Sequence, residues 1–384
     1  MNPLVNSLIA KENLEEAEEQ FPLEVVRCRE CSLVQVKKPI DSHKIYKDVD
    51  YLYFSSDMPN LKEYFEAYAK EIRDRFNTQG NFVVEIGSND GIMLEMFPLT
   101  KVLGVDPATN VAIRALRKGI PTLPLFFNER VAKLIRAEWG PAKVVYGNNC
   151  IAHIDDLDDV MRGVSHLLTS DGVFVVECNY FGGMVKNNNY ALVYHDHFSY
   201  FSLKNWVDYA TGFGLRVFDA TVTPAQGGSL RVFMGKGDRA QTTRLAELKE
   251  EEERTKLNSL ECAQEYGNAC QREAKKLLKT VEKLKAERKK IAGYGAAAKG
   301  FSVLKLAGID ERHIDYFIDD SPAKQGKYTP VSHIPVLARA DVRRKDLPDV
   351  FFITAPNYAD VIMEKEKTFK DGGGEFLLCD STLI

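Results

Sequence analysis

From Phe82 onward, short runs of β-branched and other apolar residues alternate with longer segments that have helical periodicity. Phe82–Ile86, Lys101–Val105, Lys143–Tyr146 and Val173–Val176 each end in turn-forming or polar residues. That is the pattern of parallel strands buried on both faces and joined by helices. Leu215–Phe218 and Ser229–Met234 flank Thr-Pro-Ala-Gln-Gly-Gly (223–228), a turn-rich stretch that predicts an antiparallel hairpin closing the sheet. Between Thr242 and Lys290 charge is dense and proline absent, and Leu277, Val281, Leu284 and Ile291 recur at helical spacing. A solvated helical connector that buries one stripe is expected there. A second αβ pattern starts at Ile291-Ala-Gly-Tyr-Gly and runs through Ile314–Ile318, Val350–Thr354 and Phe376–Leu378. The stretch before Asn77 is irregular: an acidic, helical start, then Pro-Leu-Glu-Val-Val-Arg-Cys-Arg-Glu-Cys (22–31), then Tyr46, Tyr51 and Tyr53. The expectation is an α/β chain with a leading module (1–77), a first α/β domain (78–240), a helical connector (241–290) and a smaller second α/β domain (291–384).

Composition narrows the function. The 384 residues are 45% apolar, enough for several cores, and 51 basic against 55 acidic residues give a charge of -4. No strong positive field draws such a chain to nucleic acid or an anionic membrane. With no signal-peptide pattern or spanning segment, a cytoplasmic protein is expected. The seven cysteines fit reduced thiols, and only Cys28 and Cys31 are closely spaced.

The first strand runs into Glu85-Ile-Gly-Ser-Asn-Asp-Gly91 and then the predicted helix Ile92–Phe97. Glycines there let the backbone approach a ligand, and helix N-terminal amides favour its polar end. Asp106 follows at the tip of the next strand, where a carboxylate can accept both ribose hydroxyl protons. The loop lacks the G-x-G-x-x-G spacing of nicotinamide sites, so S-adenosylmethionine fits it better; a turn without ligand is the bland alternative. Glu85, Gly87, Asn89, Gly91 and Asp106 are the candidate cofactor residues.

His153 follows the predicted third strand of this sheet, and Tyr194-His-Asp-His-Phe-Ser-Tyr200 follows the next. Two imidazoles, a carboxylate and two phenols can move a proton or stabilise an enolate. Consecutive ligand types converge poorly on one ion, so a metal site is the weaker reading, and hydrogen-bonded structural residues are the other.

Six ordered motifs then form one set: residues 22–35, Val-Glu-Ile-Gly-Ser-Asn-Asp-Gly (84–91), Tyr-His-Asp-His-Phe-Ser-Tyr-Phe-Ser (194–202), Gly-Gly-Ser-Leu-Arg (227–231), Gly-Tyr-Gly-Ala-Ala-Ala-Lys-Gly (293–300) and Asp-Ser-Pro-Ala-Lys-Gln-Gly (320–326). The set resembles the nucleotide-sugar C-methyltransferases, which methylate C3 of a 4-keto-deoxysugar carried on a nucleoside diphosphate. The resemblance implies a zinc-type leading module, a methyltransferase-type Rossmann-like sheet that binds S-adenosylmethionine, and a C-terminal Rossmann-like domain. It implies His197 as general base and Asp196 as its orienting carboxylate. It also implies that Tyr194 and His153 position or stabilise the enolate, and Tyr53, Arg231, Lys299 and Lys324 are expected to face the sugar nucleotide. A nicotinamide-dependent oxidoreductase using the Gly293 loop, and a catalytically silent scaffold, are the alternatives. A monomer or weak homo-oligomer is expected.

The sequence departs from the family in three places. Asp196 stands where glutamate is usual, and Gln226 where a histidine is common. Only Cys28-x-x-Cys31 is present of two such pairs, the resemblance placing the other before the matching stretch Asn2–Leu8. Two thiolates do not close a tetrahedral site, so no zinc is expected unless further ligands join Cys28 and Cys31. The leading module is then expected to fold by packing Phe21, Leu23, Val25 and Val26 against the next domain.

Overall fold

A computed structural model describes residues 4, 8–47, 51–58 and 60–384; most of the stretch Asn2–Leu8 lies outside them. The leading module contributes strands β1 (Val25–Arg27) and β2 (Val34–Val36). The first α/β unit contains β3 (Val83–Ile86), β4 (Val102–Val105), β5 (Thr122–Leu123), β6 (Ala142–Asn148), β7 (Leu168–Asn179), β8 (Ser199–Tyr200), β9 (Arg216–Thr223) and β10 (Ser229–Gly235). The last part holds β11 (Ile291–Tyr294), β12 (Phe317–Ile318), β13 (Val336–Leu337), β14 (Val350–Ile353) and β15 (Glu375–Leu377).

The main sheet has the order β5-β4-β3-β6-β7-β10-β9, and β10 runs antiparallel to both its neighbours, as the turn at 223–228 predicts. Alternation along the parallel strands feeds two cores. Val84, Leu103, Val145 and Phe174 face one side, which the helices Glu129–Trp139 and Leu157–Leu167 cover. Val83, Val102, Val144 and Val173 face the other, under Phe65, Tyr68, Ile72 and Phe76 of the helix Leu61–Phe76. Both faces being buried explains why these strands read as continuous apolar runs.

The second sheet, β13-β12-β11-β14-β15, is wholly parallel. The connector is two helices, Thr243–Arg254 and Leu260–Ala286. The second buries Cys270, Ala274, Leu277, Val281 and Leu284 in a core continuous with both sheets, while Ile291, expected on that stripe, opens β11. In the bend between these helices, the Asn258 carbonyl accepts from Arg27 at 2.5 Å. The buried Glu252 accepts from the amides of Leu203 (2.6 Å) and Lys204 (3.0 Å), capping the helix Leu203–Thr211.

Three local expectations are corrected. Ile92–Phe97 is not a helix: only the 3₁₀ turn Leu94–Met96 forms, because consecutive Ile92, Met93 and Leu94 are all buried and Pro98 follows at once. Among the described residues, the acidic start holds one 3₁₀ turn, Lys11–Asn13, which buries no residue to anchor a longer helix. Val25 is 37% exposed; the module instead buries Val34, Val36, Ile40 and Ile45. It docks by pairing β2 antiparallel with β8, the strand that ends the histidine motif.

Candidate active site

The loops at the carboxyl ends of β3, β4 and β6 in the first sheet, and of β11, β12 and β14 in the second, open onto one cleft of about 990 Å³. Asp41–His43, Tyr46, Tyr51–Ser55, Asp57 and Met58 of the leading module also line it. Crevices at the carboxyl edges of parallel sheets are where α/β folds bind ligands.

Gly87, Asn89 and Asp106 line this cleft. Gly87 has φ +65°, and a Cβ there would lie 2.4 Å from the Cys150 Cβ. Asp106 accepts the amides of Asn89 at 2.8 Å and Ala108 at 2.9 Å, which holds its carboxylate at the tip of β4. Burial nevertheless pushes its pKa up to about 6. Both carboxylate oxygens keep a lone pair for paired hydroxyls, so this edge fits the ribose of S-adenosylmethionine. The Asn89 side chain accepts from the Ser55 amide (2.7 Å) and donates to the Tyr53 carbonyl (3.1 Å), tying Tyr53 to the loop across the cleft.

Two expected cofactor residues stand behind the loop rather than in the cleft. Glu85 is buried 3.3 Å from Tyr146 Oη and from Asn148 Nδ2, and burial raises its carboxyl well above the usual range. Gly91 (φ +80°) is required by Ile120, 2.5 Å from where its Cβ would be.

The histidine motif comes together at the cleft floor. His153 ends the 3₁₀ turn Ile151–His153 after β6, and its ring centroid lies 4.9 Å from that of His197. His197 Nδ1 lies 2.8 Å from the Leu192 carbonyl, an acceptor only, so Nδ1 carries the proton. Nε2 then accepts from Tyr194 Oη at 2.7 Å. Asn179, at the end of β7, places its amide nitrogen 3.0 and 3.2 Å from the two ring nitrogens. The orienting role expected of Asp196 thus falls to a main-chain carbonyl. Asp196 itself lines the cleft; burial raises the hydroxyl pKa values of Tyr46, Tyr51 and Tyr194, and the Asp196 charge adds to it. His195 packs edge-on to Phe21 of the leading module, centroids 6.3 Å apart, and is absent from the cleft lining.

Burial, followed by His153 and Lys299, holds His197 well below the usual histidine value, against the opposing pull of the Leu192 carbonyl. His153 is lowered to about 4 by burial. Both imidazoles are therefore neutral at physiological pH. The turn Tyr190–Leu192 that supplies the carbonyl is clamped from outside: Tyr190 Oη donates to the Cys379 carbonyl (2.9 Å), and Tyr266 Oη to that of Asn189 (3.0 Å).

From the second unit, Lys299 and Lys324 both line the cleft. Burial lowers the Lys299 pKa to about 8. Lys324 donates to the Ala296 carbonyl at 2.9 Å and pairs with Asp319 at 3.1 Å. Arg231 is not in the cleft. Its guanidinium lies 2.9 Å from Glu177, 2.6 Å from Glu71 and 2.8 Å from Tyr64, stacked on Tyr68, so those partners take the charge meant for substrate.

Tyr46, Asn179 and the Leu192 carbonyl were not singled out by sequence. Tyr46 had a signal, the tyrosine-rich stretch; a main-chain carbonyl has none.

Cys28 and Cys31 sit in the turn between β1 and β2, and the described residues include no group of three or more His, Cys, Asp or Glu able to hold a metal. The two thiols alone do not fit a tetrahedral zinc site.

The sequence matches a family named for zinc binding over residues 1–46, a methyltransferase domain family over 61–220, and a C-methyltransferase C-terminal domain family over 224–379. The C-methyltransferase NovU of Streptomyces niveus is 35% identical over 381 residues, covering 98% of this chain and 90% of NovU. Solved structures similar to part of the chain include an S-adenosylmethionine-dependent methyltransferase from Clostridium acetobutylicum (13% identity, 48% of this chain, 94% of that one, TM-score 0.37). Another is the magnesium protoporphyrin IX methyltransferase of Synechocystis with bound SAH (11% identity, 46% and 83%, TM-score 0.36).

Proposed function

Since this chain belongs to the C-methyltransferase family and takes its methyl group from S-adenosylmethionine, we propose that it methylates the ring carbon beside the keto group of a deoxysugar nucleotide, C3 next to a C4 ketone. The observation that carries this reading is one cleft lined by Asp106, by the neutral His153–His197–Tyr194 group and by Lys299. A volume of about 990 Å³ suits two ligands side by side.

S-adenosylmethionine, when bound, supplies a methyl group activated by a positively charged sulfur. Gly87, Asn89 and Asp106 hold its ribose end. His197 Nε2 takes the proton from the sugar carbon; the C–H electron pair moves to the keto oxygen as an enolate. Tyr194 turns its hydroxyl from Nε2 to that oxygen, freeing the nitrogen's lone pair and donating a hydrogen bond where charge develops. With S-adenosylmethionine bound, its activated methyl group would be the electrophile this carbon needs, the C–S bonding pair leaving with the sulfur. Lys299 faces the substrate's phosphates. Holding carbon and methyl in line contributes as much as proton removal does.

We also propose a cytoplasmic reaction on a monomer or weak homo-oligomer, with neither nucleic acid nor membrane as partner. In support, the net charge is -4, and no helix among the described residues is long and apolar enough to cross a membrane. Mass spectrometry with a panel of nucleoside-diphosphate 4-keto-sugars and methyl-labelled S-adenosylmethionine tests the function. One label on a ring carbon is expected; label on oxygen or nitrogen, or none with any ketosugar, overturns it.

A further inference from the structure

The two imidazoles on the cleft floor are held by different kinds of partner. His197 Nδ1 faces the Leu192 carbonyl at 2.8 Å, which can only accept. His153 Nδ1 faces Tyr46 Oη, also at 2.8 Å. A phenol is a stronger acid than a neutral imidazole N–H, and an imidazole nitrogen is a stronger base than a phenol oxygen. Between these two groups the phenol therefore donates, and Nδ1 of His153 is the bare nitrogen. Its proton must sit on Nε2, which has no hydrogen-bond partner among the described residues.

We propose that Tyr46 is a positioning residue that fixes His153 as the Nε2–H tautomer, opposite to the Nδ1–H tautomer that Leu192 imposes on His197, so that one imidazole can only donate to the cleft and the other can only accept. This rests on the proposed carbon methylation and sharpens it. His153 becomes the neutral donor to the enolate oxygen, and His197 the base. Exchanging roles would make Tyr46 the acceptor from His153 and leave the Leu192 carbonyl without its donor. Neutral donors suit this task because His153 resists protonation, its pKa lowered to about 4, and an imidazolium there would give up its proton to the enolate instead of sharing it. Tyr46 is well placed for the part. It ends the short helix Ser42–Tyr46, whose Ile45 is buried with Ile40 and Phe198 in a small core beside the histidine motif.

Nitrogen NMR of full-length protein labelled with ¹⁵N-histidine reads the tautomers directly, with His153→Gln and His197→Gln used for assignment. The expected result is Nε2–H for His153 and Nδ1–H for His197 at neutral pH. Finding His153 as Nδ1–H, or both rings in one tautomer, overturns the proposal even if the enzyme methylates a ketosugar as described. Absence of any carbon methylation with the tautomers as stated would overturn the function and leave the tautomers standing. In Tyr46→Phe, His153 should become a tautomer mixture. Turnover should fall about tenfold, the weight of one hydrogen bond, with the KM for S-adenosylmethionine within about twofold of wild type. Wild-type turnover with an unchanged His153 spectrum in that variant would show that Tyr46 does not set the ring.

Discussion

The amide of Phe198 donates to the carbonyl of Ala152 at 2.7 Å, bonding the residue after His197 to the residue before His153. The Phe198 carbonyl in turn accepts the amide of Val36 at 2.8 Å. One residue thereby sets the spacing of the two imidazoles and attaches the leading module to them. Phe198→Ala removes a ring that is 2% exposed and packed on Ile40 and Ile45. Roughly 3–5 kcal/mol of stability should be lost, read by urea denaturation, with turnover falling in the molecules that remain folded. Wild-type turnover in the folded fraction would separate the module from the alignment of the histidines.

His197→Ala should lower turnover by about 100- to 10,000-fold while calorimetry shows unchanged affinity for S-adenosylhomocysteine. The variant should also fail to exchange the substrate's acidic hydrogen with deuterated solvent. Exchange at the wild-type rate would move the base elsewhere.

The pH dependence of kcat, taken with both substrates saturating, should be level as pH falls through 6.5, the ordinary histidine value. The sign follows from the surroundings: burial, His153 and Lys299 all disfavour the imidazolium, so the basic form persists to lower pH. A loss of activity centred near 6.5 would contradict this environment.

Asp106 sets a separate limit, visible in binding. Its ionised form is the acceptor, and burial has raised its pKa to about 6. The Kd for S-adenosylhomocysteine should be flat above neutrality and rise below pH 6, by at most about tenfold per unit. Asp106→Ala should weaken binding by roughly 1.5–3 kcal/mol for each ribose hydroxyl left without its acceptor. Calorimetry giving a constant Kd between pH 7 and about 5 would refute the role.

Lys299, with its pKa near 8, should lose its charge as the medium becomes mildly alkaline. The KM for the nucleotide sugar should accordingly rise above that pH in wild type. In Lys299→Gln it should be raised already at neutral pH and lack that alkaline limb. Identical KM profiles for the two proteins would place the phosphates away from Lys299.

Most strands of the two sheets were legible as buried apolar runs ended by polar residues: Val83–Ile86, Val102–Val105 and Val350–Ile353 lie within or at one residue of the expected spans, whereas the two-residue edge strands β5 and β13 are too short to read. Ile92–Phe97 misled because six apolar-rich residues after a glycine loop look alike as a helix start and as consecutive buried turn residues. The pairing of β2 with β8 was hidden, since two- and three-residue strands far apart in sequence have no periodicity to read. Within the site, Tyr194, His197 and His153 were identified by their chemistry, and the structure brings them together. Arg231 was misplaced because sequence does not reveal that Glu177 and Glu71 already bind its guanidinium.

The clamp on the turn Tyr190–Leu192 bears on any attempt to re-engineer this enzyme by exchanging its parts. The hydroxyls of Tyr190 and Tyr266 reach the Cys379 and Asn189 carbonyls, so the aim of the proton acceptor depends on the far end of the chain and on the long helix. A chimera that grafts the C-terminal half of a relative onto residues 1–240 would keep every methyl-donor contact proposed above. It would nevertheless be a poor catalyst unless the graft also reproduces the Cys379 carbonyl and a phenol at position 266. Exchanging only the loops after β11, β12 and β14, which touch the cleft, leaves both anchors in place.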